Sequence, residues 1–114
     1  MGLRANPREV SDIVIVDLNG RITLGDGCQS VGELVHELIA RNQKKILLNL
    51  AEVNFIDSAG IGTLTKCFIV AKRSGGAIKL LHLTTKIRDL LQITNLYTVF
   101  EVFSDEQAAI SSFR

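Results

Sequence analysis

The stretch NFIDSAGIGTL, from Asn54 to Leu64, decides how this chain is read. It follows the apolar run Ile46-Leu47-Leu48-Asn49-Leu50, breaks for an Asp-Ser pair, and resumes as helix-compatible sequence with Gly60 and Gly62 in the opening turns. A glycine inside a helix is less favourable than alanine by about 1 kcal/mol. An Asp-Ser pair also interrupts what would otherwise be an uninterrupted apolar segment. Placed between a strand and a helix, the pair has a physical use. The first N–H groups of a helix lack intrahelical partners and carry partial positive charge, and the side chain of Asp57 or Ser58 can cap them. Capping accounts for one polar residue and leaves the glycines unexplained. Close packing of the helix on a sheet would account for one of them. A surface left bare, so that another molecule or a phosphoryl group can reach Ser58, would account for both.

Outward from that stretch, strands and helices alternate. DIVIVDLNGRITL is β-branched and alternating, and Asn19-Gly20 at its middle is a strong hairpin signal because both residues tolerate positive φ. Residues 1–11 before it are expected as a loosely ordered lead-in. VGELVHELIA places Val31, Leu34, Val35, Leu38 and Ile39 on one helical face, with His36 on the polar side. KKILLNL is the continuous apolar run of a strand covered on both faces. Ile61, Leu64, Phe68 and Ala71 mark the next helix, which closes on Lys72, Arg73 and Ser74-Gly75-Gly76. AIKLLHL is a further strand, and His82 within it is expected as a strand residue. Ile87, Leu90, Leu91 and Thr94 mark a third helix that ends at Asn95 in a left-handed conformation. FEVF gives a last strand, and Ser104 with Gln107 forms a capping box for a final helix. The resulting order is β-β-α-β-α-β-α-β-α. It predicts an α/β fold in one domain over residues 1–114, with a mixed, mainly parallel sheet of about five strands and four helices packed against it.

The bulk numbers exclude several classes of function. The 114 residues suffice for one domain with its own core. A net charge of +1, few aromatics and no tryptophan argue against a nucleic-acid surface. Cys28 and Cys67 are expected as reduced, packed thiols. With only His36 and His82 to assist them, they make no zinc spacing. The first residues, MGLRANPREVSD, lack the apolar region of a signal peptide, and Asn6 stands where a myristoylation signal expects a small hydroxyl residue. The chain reads as cytoplasmic, with no cofactor.

Catalytic readings are weak. AGIGTL lacks the third glycine of a dinucleotide fingerprint, and no Gly-Lys-Ser/Thr run is present. A nucleophile elbow needs glycine where Ile56 stands. A Ser58 triad would need His36 or His82 delivered to it. A small serine hydrolase is therefore the minor alternative, and the chain is expected not to be an enzyme.

At these residues the chain resembles a known family. ILLNLAEVNFIDSAGIGTL is similar to the core signature of STAS domains, in particular the bacterial anti-sigma factor antagonists, and the likeness runs from VIVDLNGRIT through LLQITNLYTVFEVF to the last helix. The resemblance implies a binding module without catalytic residues. Its partner would be an anti-sigma factor that is itself a serine kinase of the histidine-kinase-like ATPase type. That kinase, which owns the ATP and magnesium, would phosphorylate Ser58 and let go. A metal-dependent serine phosphatase would restore binding. Asp57, Ser58, Ala59, Gly60, Ile61 and Gly62 would form the partner surface. Asp26, in the glycine-rich LGDGCQS, is matched to an acidic residue often found before the first long helix.

Two departures stand out. Ala59 replaces a second hydroxyl residue common after the phosphorylated serine, which leaves Thr63 the next hydroxyl a turn away. Asn95 stands where glycine is common. The family also contains adaptor subunits of a lipid-transport ATPase, stress-sensing scaffolds and tails of anion transporters. The adaptor and scaffold roles stay open as alternatives, as does a homodimer through the exposed sheet edge.

Overall fold

A computed structural model describes residues 2–113. The elements are β1 (Leu3–Val10), β2 (Ile13–Ile22), α1 (Asp26–Ala40), β3 (Lys45–Ile56), α2 (Ser58–Arg73), β4 (Ala77–Leu81), α3 (Thr85–Ile93), β5 (Val102–Phe103) and α4 (Glu106–Ser112). They form one five-stranded sheet in the order β1-β2-β3-β4-β5. β1 runs antiparallel to β2, and the other neighbours pair in parallel. The expected element order and the mixed, mainly parallel sheet with four helices are present. No helix among the described residues is long and apolar enough to cross a membrane.

The two faces of the sheet bury different residues. Val14, Val16 and Leu18 of β2 alternate with Ile13 and Ile15, as the pleat requires. The first set joins Ile46, Leu48 and Leu50 of β3 under α1, α2 and α3 in the main core. The second joins Leu47 and Leu81 beneath Ala109 and Ile110 of α4. Three crossover helices therefore share one face, as crossovers of uniform hand demand, and the short α4 covers part of the other.

Several expectations are corrected. The hairpin lies between β1 and β2, not within β2. Its turn is Ser11-Asp12, with Ser11 at φ 59° and Val10 paired to Ile13. Residues 3–10 are thus a paired strand, not a loose lead-in; Met1 lies outside the described residues. Pro7 tells against a central strand, but β1 is at the sheet edge, where a missing N–H is tolerated. Asn19-Gly20 lies inside β2, at a register irregularity against β3. There Gly20 has φ 120°, and a Cβ on it would stand 2.2 Å from the Gly2 carbonyl oxygen, so the position needs glycine for packing rather than for a turn.

β3 also continues past KKILLNL to Ile56. Leu50, Val53 and Ile56 are all buried at intervals of three, which broke the alternation that marks a strand in sequence. α1 starts at Asp26, not Val31, so LGDGCQS is mostly helix rather than loop. His82 lies just beyond β4 with φ 58° rather than within the strand. The cap of α4 is Asp105, whose Oδ2 accepts from the Ala108 N–H at 2.9 Å, in place of the Ser104–Gln107 box. Asn95 does take the left-handed conformation after α3, at φ 60°.

Candidate functional site

β3 ends at Ile56 and α2 begins at Ser58, which leaves Asp57 as the only residue between strand and helix. Asp57 is extended, and its Oδ1 accepts from the Gly60 N–H at 2.8 Å. Its Oδ2 accepts from the Leu24 N–H at 3.1 Å. One carboxylate therefore caps α2 and ties down the β2–α1 connection. These two bonds, Leu24 first and Gly60 second, hold the Asp57 carboxyl below the usual aspartate range. The open question of the cap is settled for Asp57, which frees Ser58. Ser58 is exposed as the first residue of α2 and, among the described residues, its hydroxyl makes no hydrogen bond.

The two glycines separate. Gly60 is buried, and a Cβ on it would come within 2.2 Å of the Ile22 carbonyl oxygen and 2.5 Å of Ile56 Cγ1. Its role is the close approach of α2 to the end of β2. Gly62 is exposed with nothing within 4 Å of the same point, so it alone bares the helix surface. Ile61 is also inside, at 6% exposure, and Ala59 is half-buried. Of the six contiguous residues expected to form the partner surface, only Ser58 and Gly62 face solvent fully. Asp26 is exposed but lines a separate shallow groove with Leu3, Gln29 and Glu33. Only its neighbour Leu24 reaches the Ser58 end, through Asp57.

Sequence reasoning missed what surrounds Ser58. A groove of about 710 Å³ runs between α2 and α3 from Ser58 to Arg73, floored by Ile61, Ile69, Leu90 and Leu96. A second, adjoining hollow shares Ile56 and Leu90 and adds Phe55 and Ile93. Four of the large apolar side chains left exposed line these two hollows, Ile93 at 78% and Phe55, Ile69 and Val70 at lower values, and Leu24, at 80%, is held beside Asp57 through its N–H. Scattered apolar exposure needs no explanation, but a contiguous patch marks a contact surface. Helical periodicity finds Ile61 and Leu64; it cannot tell that Ile69 of α2 and Leu90 of α3 line one groove, or that Ile93 lines the hollow adjoining it.

The cysteines and His36 converge instead on a smaller cavity of about 250 Å³ between α1 and α2. Burial pushes the Cys67 thiol up to about 11, so it stays protonated and unreactive. No cluster of three or more His, Cys, Asp or Glu among the described residues is arranged to hold a metal ion.

A strand running into a capped helix with an exposed serine at its first position, on a mixed sheet in sequential order, is the arrangement of a STAS domain. The STAS domain family model matches residues 4–109, and the chain belongs to that family. It is 23% identical over 112 residues to the anti-sigma F factor antagonist of Paenibacillus polymyxa, covering 97% of this chain and 95% of that protein. The fold matches a Thermotoga maritima crystal structure described as a candidate anti-sigma factor antagonist, with TM-score 0.89, 24% identity and coverage of 96% and 94%. It also matches the Bacillus cell-fate determinant SpoIIAA in its phosphorylated form, with TM-score 0.75, 19% identity and coverage of 97% and 100%.

Proposed function

We propose that this chain is an anti-sigma factor antagonist controlled by phosphorylation of Ser58. Unphosphorylated, it binds an anti-sigma factor that is a serine kinase of the histidine-kinase-like ATPase type. Phosphorylation releases it, the anti-sigma factor is free to hold its sigma factor again, and a metal-dependent serine phosphatase resets the cycle. ATP and magnesium belong to the kinase. The observation that carries the reading is the placement of Ser58, exposed and without a side-chain hydrogen bond among the described residues, at the edge of the apolar patch. A kinase needs such access, and a protein partner needs such a patch.

The geometry also gives phosphorylation a large effect. A phosphoserine carries nearly two negative charges. Here it would lie beside the Asp57 carboxylate, which its hydrogen bonds already keep ionised. The positive end of α2 would favour the phosphate in the free protein, whereas an apolar interface closed over it would leave a buried charge costing several kcal/mol. A hundredfold loss of affinity needs only about 2.7 kcal/mol. Neither His36 nor His82 lines the Ser58 groove, which favours a binding module over a hydrolase. The relatives named as antagonists support the same role.

The test uses three baits of equal thermal stability, wild type, Ser58→Ala and Ser58→Glu, on lysate of the source cell. Recovery of a kinase-type ATPase by the first two and not by the glutamate variant is expected. Equal recovery of a transporter ATPase or a scaffold by all three would contradict the switch and assign the chain to the adaptors of its family.

A further inference from the structure

The α2–α3 groove has a chemistry that phosphorylation of Ser58 does not use. Its two threonine hydroxyls are committed to their own helices: Thr65 Oγ1 donates to the Ile61 carbonyl at 2.9 Å, and Thr94 Oγ1 to the Leu90 carbonyl at 2.9 Å. Between them the surface is aliphatic, from Ile61 and Ile69 on one side to Leu90 and Leu96 on the other. A polar group laid along this floor would lose its water without replacement. The body of any small-molecule occupant must therefore be apolar. Positive charge is available on one wall, away from the Asp57 carboxylate, which lines the Ser58 end and is engaged by the Leu24 and Gly60 N–H groups. Lys66 and Arg73 both line the groove, two turns apart on the same face of α2, a separation of about 10 Å. Among the described residues neither forms an ion pair.

We propose that this groove binds a single-chain anionic amphiphile, a free long-chain fatty acid, with its chain along the aliphatic floor and its carboxylate at Lys66 and Arg73. The dimensions suit it. The groove follows α2, whose length is about 24 Å, and its volume of about 710 Å³ lies in the usual range for small-molecule sites. The charge is complementary, since two unpaired cations meet one carboxylate. The polarity is too, because a saturated chain asks for no hydrogen bond along a floor of Ile61, Ile69, Leu90 and Leu96 that offers none. The inference is independent of whether Ser58 is phosphorylated, but occupancy would block the face on which a protein partner would dock, and so would couple antagonist activity to free fatty acid.

The test titrates isotope-labelled full-length protein with sodium dodecanoate below its critical micelle concentration, followed by amide chemical shifts. Decanoate and dodecanol serve as comparisons. Expected is saturable one-to-one binding with shifts confined to α2, α3 and the Leu96 turn. Each methylene removed from the chain should weaken binding by up to about fourfold. Dodecanol should bind at least tenfold more weakly than dodecanoate, and so should dodecanoate to the Lys66→Glu/Arg73→Glu variant. Thr65→Trp, which fills the groove, should abolish binding while the shifts of α4 stay native. The absence of saturable binding would overturn the proposal. So would equal binding of acid and alcohol, which needs no variant to measure and would mean that the cations take no part.

Discussion

The Ser58 end of α2 and the underside of the sheet beneath α4 treat polar groups in opposite ways. Under α4 the charges of Lys79, Arg8, Asp17 and Glu106 are turned to partners. Lys79, at 6% exposure, donates from Nζ to the carbonyl and the hydroxyl of Ser112 at 2.9 Å each, with Glu101 3.3 Å away and the Phe113 ring beneath it. Arg8 spans Asp17 and Glu106 at 2.7 Å each, and Asn49 donates to Asp17 at 2.8 Å. These bonds join β1, β2, β3 and α4 across a small apolar cluster. At the Ser58 end one carboxylate, Asp57, satisfies the local backbone, and the remaining surface is left with exposed apolar side chains and a hydroxyl that makes no hydrogen bond among the described residues. The first arrangement holds a short helix on a sheet. The second uses one carboxylate on the backbone of α2 and of the β2–α1 connection and leaves its apolar side chains uncovered, as the proposed docking of a partner requires.

Substitutions should separate the two regions by what they move. Among changes near Ser58 the largest stability effect belongs to Gly60→Ala. Its methyl group would collide with the Ile22 carbonyl oxygen, which can yield only with the backbone, so unfolding free energy should fall by about 1–3 kcal/mol in urea titrations. Ile69→Asp or Leu24→Ser should do the reverse, leaving the melting temperature within a degree or two while weakening partner binding at least tenfold by calorimetry. An equal loss of stability in those variants would make the patch core rather than contact surface.

The acid response should be shared between the regions. Hydrogen bonds from Arg8 hold the Asp17 and Glu106 carboxyls below their usual range. A carboxyl lowered in the folded state stabilises the protein at pH values above its unfolded pKa, near 4, and that contribution is lost as pH falls through the folded value. The melting temperature should therefore drop as pH falls from about 5 toward 2. Arg8→Met should flatten part of that drop, and Asp57→Asn a smaller part. A profile unchanged by Arg8→Met would mean that the exposed bridges are inert, as many are. The smallest effect is Gly62→Ala. With open space at its Cβ it should gain up to about 1 kcal/mol of stability, opposite in sign to the change two residues earlier.

Much of this was legible in the sequence, and the failures have identifiable causes. Asp57-Ser58 reads as a strand-to-helix junction because capping chemistry is local. The cationic last turn of α2 and the left-handed Asn95 were legible for the same reason. Asn19-Gly20 misled because a glycine required by the approach of β1 looks identical to one required by a turn. β1 was hidden by Pro7, whose cost disappears only at a sheet edge. The two glycines after Ser58 could not be told apart either, since only the path of β2 decides which of them is crowded. The groove was invisible because Ile69, Leu90 and Leu96 come from different elements, and its identity rests on how those elements pack.

The central claim is that Ser58 carries the on–off state of a binding face. Its most direct test is the affinity of the purified anti-sigma partner for the protein with Ser58 unmodified and with Ser58 phosphorylated, measured on the same preparation by calorimetry. The phosphorylated form is expected to bind at least a hundredfold more weakly with its melting temperature little changed. Equal affinity of the two forms would contradict the account and leave Ser58 an exposed first-turn residue with no part in switching.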